Sequence, residues 1–274
     1  MNHQPTTNDQ PIAGRRVLVT GASGGLGAAI ARHLHACGAK LVLSARNVEA
    51  LESLRDELDH EPELIAADLC DQEAVNHLLQ TAAPIDILIA NAGLPASGRL
   101  DSFSNEQIER ALQVNLYAPI TLARGLSGQM VERGFGHLVF ISSLSGKVAG
   151  PGSSIYSATK FGLRGFAFSV REELRGSGVG VTTVFPSFIG SAGMWAEAGI
   201  DLPPGIALRY PDDVAKAVIK GIQTGQAEID VAPASLRVGA LAAGVAPGLV
   251  AWLNRRLGSA GVADALGEAQ QHKR

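Results

Sequence analysis

The sequence predicts an α/β fold: a doubly wound parallel sheet of about seven strands with helices on both faces, built as a single domain. Three observations predict it. From Arg15 onward, short β-branched or aliphatic runs alternate with longer stretches of helical character, the order that a parallel sheet with crossover helices requires. The connections between these runs are short, as compact α/β units need. The chain has 274 residues, 46% hydrophobic and 18% charged, enough apolar surface to offset the entropy of ordering one large core.

The first strand is expected over Val17 to Thr20, followed by a helix over Leu26 to Ala36. A second strand, Lys40 to Ala45, leads into a helix over Val48 to Leu58, with Asn47 placed to accept one of its first N–H groups. The third strand is Leu64 to Ala67, with a helix over Gln72 to Thr81, and the fourth is Ile85 to Ala90. A long helix over Asn105 to Met130 precedes the fifth strand, His137 to Ser142, and a second over Ser154 to Arg175 precedes the sixth, Gly180 to Phe185. A last helix, Pro211 to Thr224, leads to the seventh strand, Glu228 to Val231. Residues 1–13 read as a flexible polar tail without the apolar run of a secretory signal. Residues 14–231 carry the fold. Residues 232–274 shift toward Ala, Gly and Leu without strand character and read as a helical extension.

Composition excludes several partners. A net charge of -3 gives no broad positive field for phosphate backbones, so nucleic acid is not expected. Cys37 and Cys70 stand far apart in no metal-type spacing, so neither a disulfide framework nor a metal site is expected, and a reducing cytoplasmic compartment fits. The apolar stretch Val238 to Leu253 is 16 residues long and broken by Pro247 and glycines, short of a transmembrane span. Leu249, Val250, Trp252 and Leu253 beside Arg255 and Arg256 could form an interfacial helix in peripheral contact with a membrane, or a helix packed on the domain or on a second subunit.

The first strand runs into Thr20-Gly21-Ala22-Ser23-Gly24-Gly25-Leu26-Gly27 and then into a helix. Glycines stand where a backbone must turn sharply and approach a pyrophosphate, and the helix start offers free N–H groups to an anion. This is a Rossmann-type dinucleotide turn, with Gly21, Ser23, Gly25, Leu26 and Gly27 as candidate contacts. The same residues spell G-x-S-x-G, the nucleophile elbow of an α/β-hydrolase with Ser23 as nucleophile. An elbow follows several strands and precedes an acid and then a histidine. Here it follows the first strand, and none of His33, His35, His60, His77, His137 and His272 stands at a convincing strand end late in the fold. A tight turn without ligand is the bland alternative.

The second strand ends Leu43-Ser44-Ala45-Arg46. An acid at that end binds ribose hydroxyls, whereas a basic residue accommodates a 2′-phosphate. Arg46, with Ser44 adding a hydroxyl, favours NADP(H) over NAD(H). After the fifth strand come Ser142 and Ser143, then Tyr156-Ser157-Ala158-Thr159-Lys160 at the start of a long helix. Tyr156 and Lys160 are i and i+4, so both emerge on one face. A free tyrosine, with a pKa of about 10, is a poor base at neutral pH, and a neighbouring ammonium favours its phenolate.

The order and separation of these motifs over Gly14 to Val231 resemble the short-chain dehydrogenase/reductase family. The resemblance implies that Gly21, Gly25 and Gly27 are cofactor glycines, that Asp68 and Leu69 contact adenine, and that Asn91-Ala92-Gly93 lies against the cofactor. It implies that Asn115 holds a water linked to the active-site lysine. It makes Ser143, 13 residues before Tyr156, the catalytic serine, with Ser142 structural. Lys160 is then expected to lower the Tyr156 pKa and to bind the nicotinamide ribose. The family often has Pro-Gly, with Thr a few residues on, beside the nicotinamide; this chain has Pro186-Ser187-Phe188-Ile189-Gly190-Ser191. Pro186, Ile189 and Ser191 remain candidate contacts, with Ser191 replacing the threonine hydroxyl and Ser187 adding a side chain near the cofactor.

These readings imply an NADP(H)-dependent oxidoreductase moving hydride between nicotinamide and a carbonyl or alcohol carbon, with Tyr156 as general acid/base. Leu94 to Arg99, Leu144 to Ser153 and a lid over about residues 188–208, holding Met194 and Trp195, are expected to shape a site for a hydrophobic substrate. The long helices at Asn105 to Met130 and Ser154 to Arg175 are expected to form a homodimer or homotetramer. A non-catalytic NADPH-binding sensor or interaction module is the alternative of a different class.

Overall fold

The computed structural model describes residues 12–59, 61–191, 196, 207–246, 248, 269 and 270. Seven parallel strands form one sheet: β1 (Arg16–Thr20), β2 (Lys40–Ala45), β3 (Glu63–Ala66), β4 (Ile87–Ala90), β5 (Gly136–Ile141), β6 (Val179–Pro186) and β7 (Glu228–Val231). Their order is β3-β2-β1-β4-β5-β6-β7. The helices are α1 (Gly25–Ala36), α2 (Val48–Asp56), α3 (Gln72–Ala82), α4 (Asn105–Leu112), α5 (Ala118–Arg133), α6 (Ser154–Glu173), α7 (Pro211–Thr224) and α8 (Ala234–Val245).

Strand side chains alternate between two cores, as the two-residue repeat of a pleated strand dictates. In β1, Val17 and Val19 join Ile30 and Leu34 of α1, Leu51 of α2 and Val214 and Val218 of α7. Leu18 points the other way, into a core with Leu78 of α3, Leu122 and Leu126 of α5 and Leu163 of α6. Both faces of the sheet are covered. This explains why the central strands read as continuous apolar runs. The Asn47 cap forms as expected, its side chain accepting from the N–H of Ala50 at 3.0 Å.

One expected element is divided. The long helix after β4 is α4 and α5 joined by a π-helical turn at Gln113–Tyr117, in which the N–H of Ala118 reaches back to the carbonyl of Gln113. Pro119 is the physical cause: it has no N–H to give the carbonyl of Asn115 four residues before it, so the α ladder cannot pass through. The tail beyond β7 begins with a helix, α8. Most of the expected lid, with Met194 and Trp195, and the Leu249–Arg256 segment lie outside the described residues. No helix among the described residues is long and apolar enough to cross a membrane.

The chain leaves β1 toward β2 and β3, then returns across the sheet to place β4 on the other side of β1. The carboxyl ends of β1 and β4 therefore diverge into opposite loops, which opens a crevice where ligands of such sheets bind.

Candidate active site

The crevice is a cavity of about 1490 Å³. Its floor is the turn after β1. Gly21 has φ +65°, and a Cβ there would stand 2.8 Å from Cα of Ala92. A Cβ on Gly27 would stand 2.2 Å from the carbonyl oxygen of Gly21 and 2.8 Å from Nδ2 of Asn91. Only glycine allows the turn, α1 and the end of β4 to pack this closely.

Thr20 and Asn91 tie the two strand ends together. The Thr20 hydroxyl accepts from the N–H groups of Asn91 at 3.1 Å and Ala92 at 3.2 Å. The Asn91 amide donates to the carbonyls of Thr20 and Gly21 at 3.0 and 3.2 Å. With its amide nitrogen committed there, Oδ1 of Asn91 is left buried without a partner. Ser23, Gly25, Leu26, Ala92 and Gly93 line the cavity beside this floor.

At the β2–β3 side, buried Ser44 and exposed Arg46 line the cavity with Asp68 and Leu69. One carboxylate oxygen of Asp68 accepts from the N–H of Cys70 at 2.9 Å, which fixes the loop. Arg110 of α4 also reaches this side of the cavity. No local pattern marks Arg110, because only the crossover from β4 to β5 brings α4 there.

At the β5–β6 side, Ser143, Tyr156 and Lys160 line the cavity together, the last two from one face of α6. Burial pushes the Tyr156 phenol up to about 12, and a hydrogen bond with Ser143 offsets part of that rise. Burial pulls the Lys160 ammonium down to about 8. Lys160 donates to the carbonyl of Ile141 at 3.0 Å, and its nitrogen lies 5.6 Å from the centre of the Tyr156 ring. Burial, and not the expected pull of Lys160, dominates the tyrosine in this geometry. Ser142 also lines the cavity, but it is buried and its hydroxyl donates to the carbonyl of Lys160 at 3.2 Å.

The Asn115 side chain is bound on both sides to Leu94. Its Oδ1 accepts from the N–H of Leu94 at 2.7 Å and its Nδ2 donates to the carbonyl of Leu94 at 2.9 Å. The side chain is thus committed to holding the loop after β4. Pro119, four residues on, has no N–H to donate to the backbone carbonyl of Asn115.

Pro186, Ser187 and Ile189 line the cavity at the end of β6. The hydroxyl of Ser187 donates to the carbonyl of Val231 at 3.1 Å, so the extra side chain is turned back onto β7. Ser191 is exposed, has φ +63° and is not among the residues lining the cavity. No histidine is among the described lining residues, and His137 is buried within the sheet against Thr182 at 2.9 Å, so among the described residues no imidazole stands in the cavity with Ser23.

A charged cluster braces α6 against β6 and β7. Lys147 pairs with Asp230 at 2.6 Å and Glu228 at 2.9 Å, and its nitrogen lies 4.0 Å from the centre of the Phe185 ring. Arg164, one turn beyond Lys160, bonds both oxygens of Glu228 at 2.6 and 3.1 Å. Burial raises the Glu228 carboxyl, and the hydrogen bonds from Arg164 and Lys147 more than offset it, holding it below its ordinary value. No local pattern in the sequence marks this cluster, since its members are brought together only by the packing of α6 on β6 and β7.

Residues 15–201 match the family model described as short chain dehydrogenase. The chain belongs to the short-chain dehydrogenase family. Mouse dehydrogenase/reductase SDR family member 7B is 38% identical over 184 residues, covering 63% of this chain and 57% of that protein. The alignment thus spans little more than half of this mouse relative's length. The 3-oxoacyl-[acyl-carrier-protein] reductase FabG of Rickettsia conorii is 34% identical over 213 residues, covering 76% of this chain and 88% of that one. Among solved structures, a short-chain dehydrogenase from Sphingobium yanoikuyae in complex with NADPH superposes with a TM-score of 0.74 at 33% identity, covering 86% of this chain and 94% of that one. The family is one of oxidoreductases, and the seven-stranded Rossmann-type sheet is its fold.

Proposed function

We propose that this protein is an NADP(H)-dependent oxidoreductase that interconverts a hydrophobic ketone or aldehyde and its alcohol. The observation that carries the reading is the joining, in one cavity, of the glycine floor at Gly21 and Gly27 with Ser143, Tyr156 and Lys160. The residues fit a dinucleotide. A floor that a single Cβ would obstruct admits a pyrophosphate close to the backbone, and the N–H groups at the start of α1 suit its charge. The unpartnered Oδ1 of Asn91 is an acceptor beside that floor. Arg46 supplies a guanidinium for a 2′-phosphate, and no carboxylate ends β2 to oppose it. The NADPH and NADP complexes named for two similar solved structures support the same cofactor.

The bound nicotinamide supplies or takes the hydride. The chain supplies orientation and the proton. The hydroxyls of Ser143 and Tyr156 hold the carbonyl oxygen, and Tyr156 gives it a proton as the carbonyl is reduced. A phenol with its pKa pushed up to about 12 stays protonated at neutral pH, which suits the reductive direction. Lys160 holds the nicotinamide ribose and restores the proton through its ammonium. Asn115 acts indirectly, by fixing Leu94 at the cavity wall.

The substrate reading rests on the apolar lining by Leu94, Pro95, Leu144, Val148, Pro151 and Phe188. Ketoacyl reductases among the relatives are consistent with a ketone. A homodimer or homotetramer is supported by Phe161 and Phe168, which α6 leaves exposed, and by exposed Leu112 and Tyr117 around the π turn. Titration with NADPH and NADH, followed by nicotinamide fluorescence and then by absorbance loss with hydrophobic ketones, tests the proposal. Tight NADPH binding with turnover is expected; binding of neither nucleotide would overturn it.

A further inference from the structure

Helix α8 follows β7 directly and lies beyond the residues that the family model matches. Ser235, Leu236, Gly239 and Ala240 form one stripe of this helix and line the same cavity as Ser143, Tyr156 and Lys160. The chain enters α8 from the β7 side of the sheet. Arg46 and Asp68 follow β2 and β3 on one side of β1, whereas β5, β6 and β7 lie on the other, and Ser187 at the end of β6 is bonded to Val231 at the end of β7. Charge divides the same way. Among the described lining residues the charged side chains are Arg46, Asp68, Arg110 and Lys160, so none of the four α8 residues brings a charge to the cavity.

We propose that α8 is the specificity wall of the active site and selects carbonyl compounds whose reacting carbon bears a long aliphatic arm, laid along Leu236, Gly239 and Ala240. The proposal rests on the oxidoreductase reading above. An uncharged wall rejects an ionised arm, which would lose its hydration without gaining a partner. It favours alkyl groups by about fourfold in affinity for each methylene buried. Gly239 leaves room at the wall: a Cβ there meets nothing within 4 Å, so a side chain can be added at this lining position without a clash at its first carbon. The same change strengthens the helix, because glycine is a poor helix former.

The test compares the parent with Gly239→Leu, using butanone and methyl nonyl ketone as substrates. In Gly239→Leu the ratio of kcat/KM for the long ketone over the short one is expected to fall about tenfold or more, with the Kd for NADPH unchanged. Val238→Ser, at a position 66% exposed and outside the cavity lining, serves as control and keeps the parent's ratio. Stabilisation by methyl nonyl ketone, read as a shift in Tm, reports binding without turnover or cofactor, and Gly239→Leu is expected to lose it. A smaller change in both readouts overturns the proposal. Failure of the parent to bind NADPH counts against the proposed function instead, and the ketone-dependent Tm shift still decides the role of α8.

Discussion

Lys160 stands one helical turn after Tyr156, yet its ammonium donates to the carbonyl of Ile141 and lies 5.6 Å from the centre of the tyrosine ring. A buried cation held by one carbonyl is a costly group, and its cost makes a prediction. The lysine's pKa falls from 10.5 in the unfolded chain to about 8 in the fold. Its contribution to stability is therefore fully present above pH 10.5 and is lost as pH falls through about 8. Lys160→Met is expected to raise Tm by a few degrees at pH 7 while abolishing turnover. Urea unfolding of both proteins should show their stability difference shrinking between pH 8 and pH 10.5.

His137 gives the acid counterpart. Burial, aided by the charge of Arg171, drops its pKa from 6.5 to about 3. The folded state holds it neutral, with its ring bonded to Thr182, while the unfolded chain protonates it. Stability from this group is complete above pH 6.5 and declines as pH falls toward 3. His137→Gln should flatten the dependence of the urea midpoint on pH across that window. An unchanged slope would assign acid sensitivity elsewhere.

Gly27→Ala should cost about 1–3 kcal/mol of stability by overpacking, because its Cβ meets backbone that cannot move aside. NADPH binding should weaken with it. Gly128→Ala, in α5 with open space around the Cβ, is the contrast and should gain up to about 1 kcal/mol. Thermal unfolding with and without NADPH separates the two.

Arg46→Ala should weaken NADPH by about tenfold to a hundredfold and leave NADH nearly unchanged, since a charge-assisted hydrogen bond to phosphate is worth about 1.5–3 kcal/mol. The ratio of the two dissociation constants is the measurement. Equal loss for both nucleotides would mean that Arg46 contacts something the cofactors share.

Much of this arrangement was legible in the sequence because it depends on local rules. The strand, glycine turn and helix at Thr20 to Ala36 are contiguous, as are Tyr156 and Lys160 on one helix face. Even the π turn was written in Pro119, although the apolar periodicity on either side reads as one helix. What could not be read depends on distant segments meeting. The Lys147 and Arg164 cluster needs β7 beside β6, and the commitment of Asn115 to Leu94 needs the π turn against the loop after β4. The placement of α8 along the cavity is of the same kind. Nothing in its composition of small and aliphatic residues points to a substrate wall until β7 sets where it starts.

The proton role of Tyr156 is the central claim, and Tyr156→Phe tests it most directly. The substitution removes one hydroxyl and keeps the ring, so the fold and the cofactor floor remain. Turnover of ketone should be lost while the Kd for NADPH stays within about threefold of the parent. Retained turnover in Tyr156→Phe would contradict the account, because no other group on the cavity wall besides Ser143 and Lys160 is assigned to the reacting oxygen or its proton.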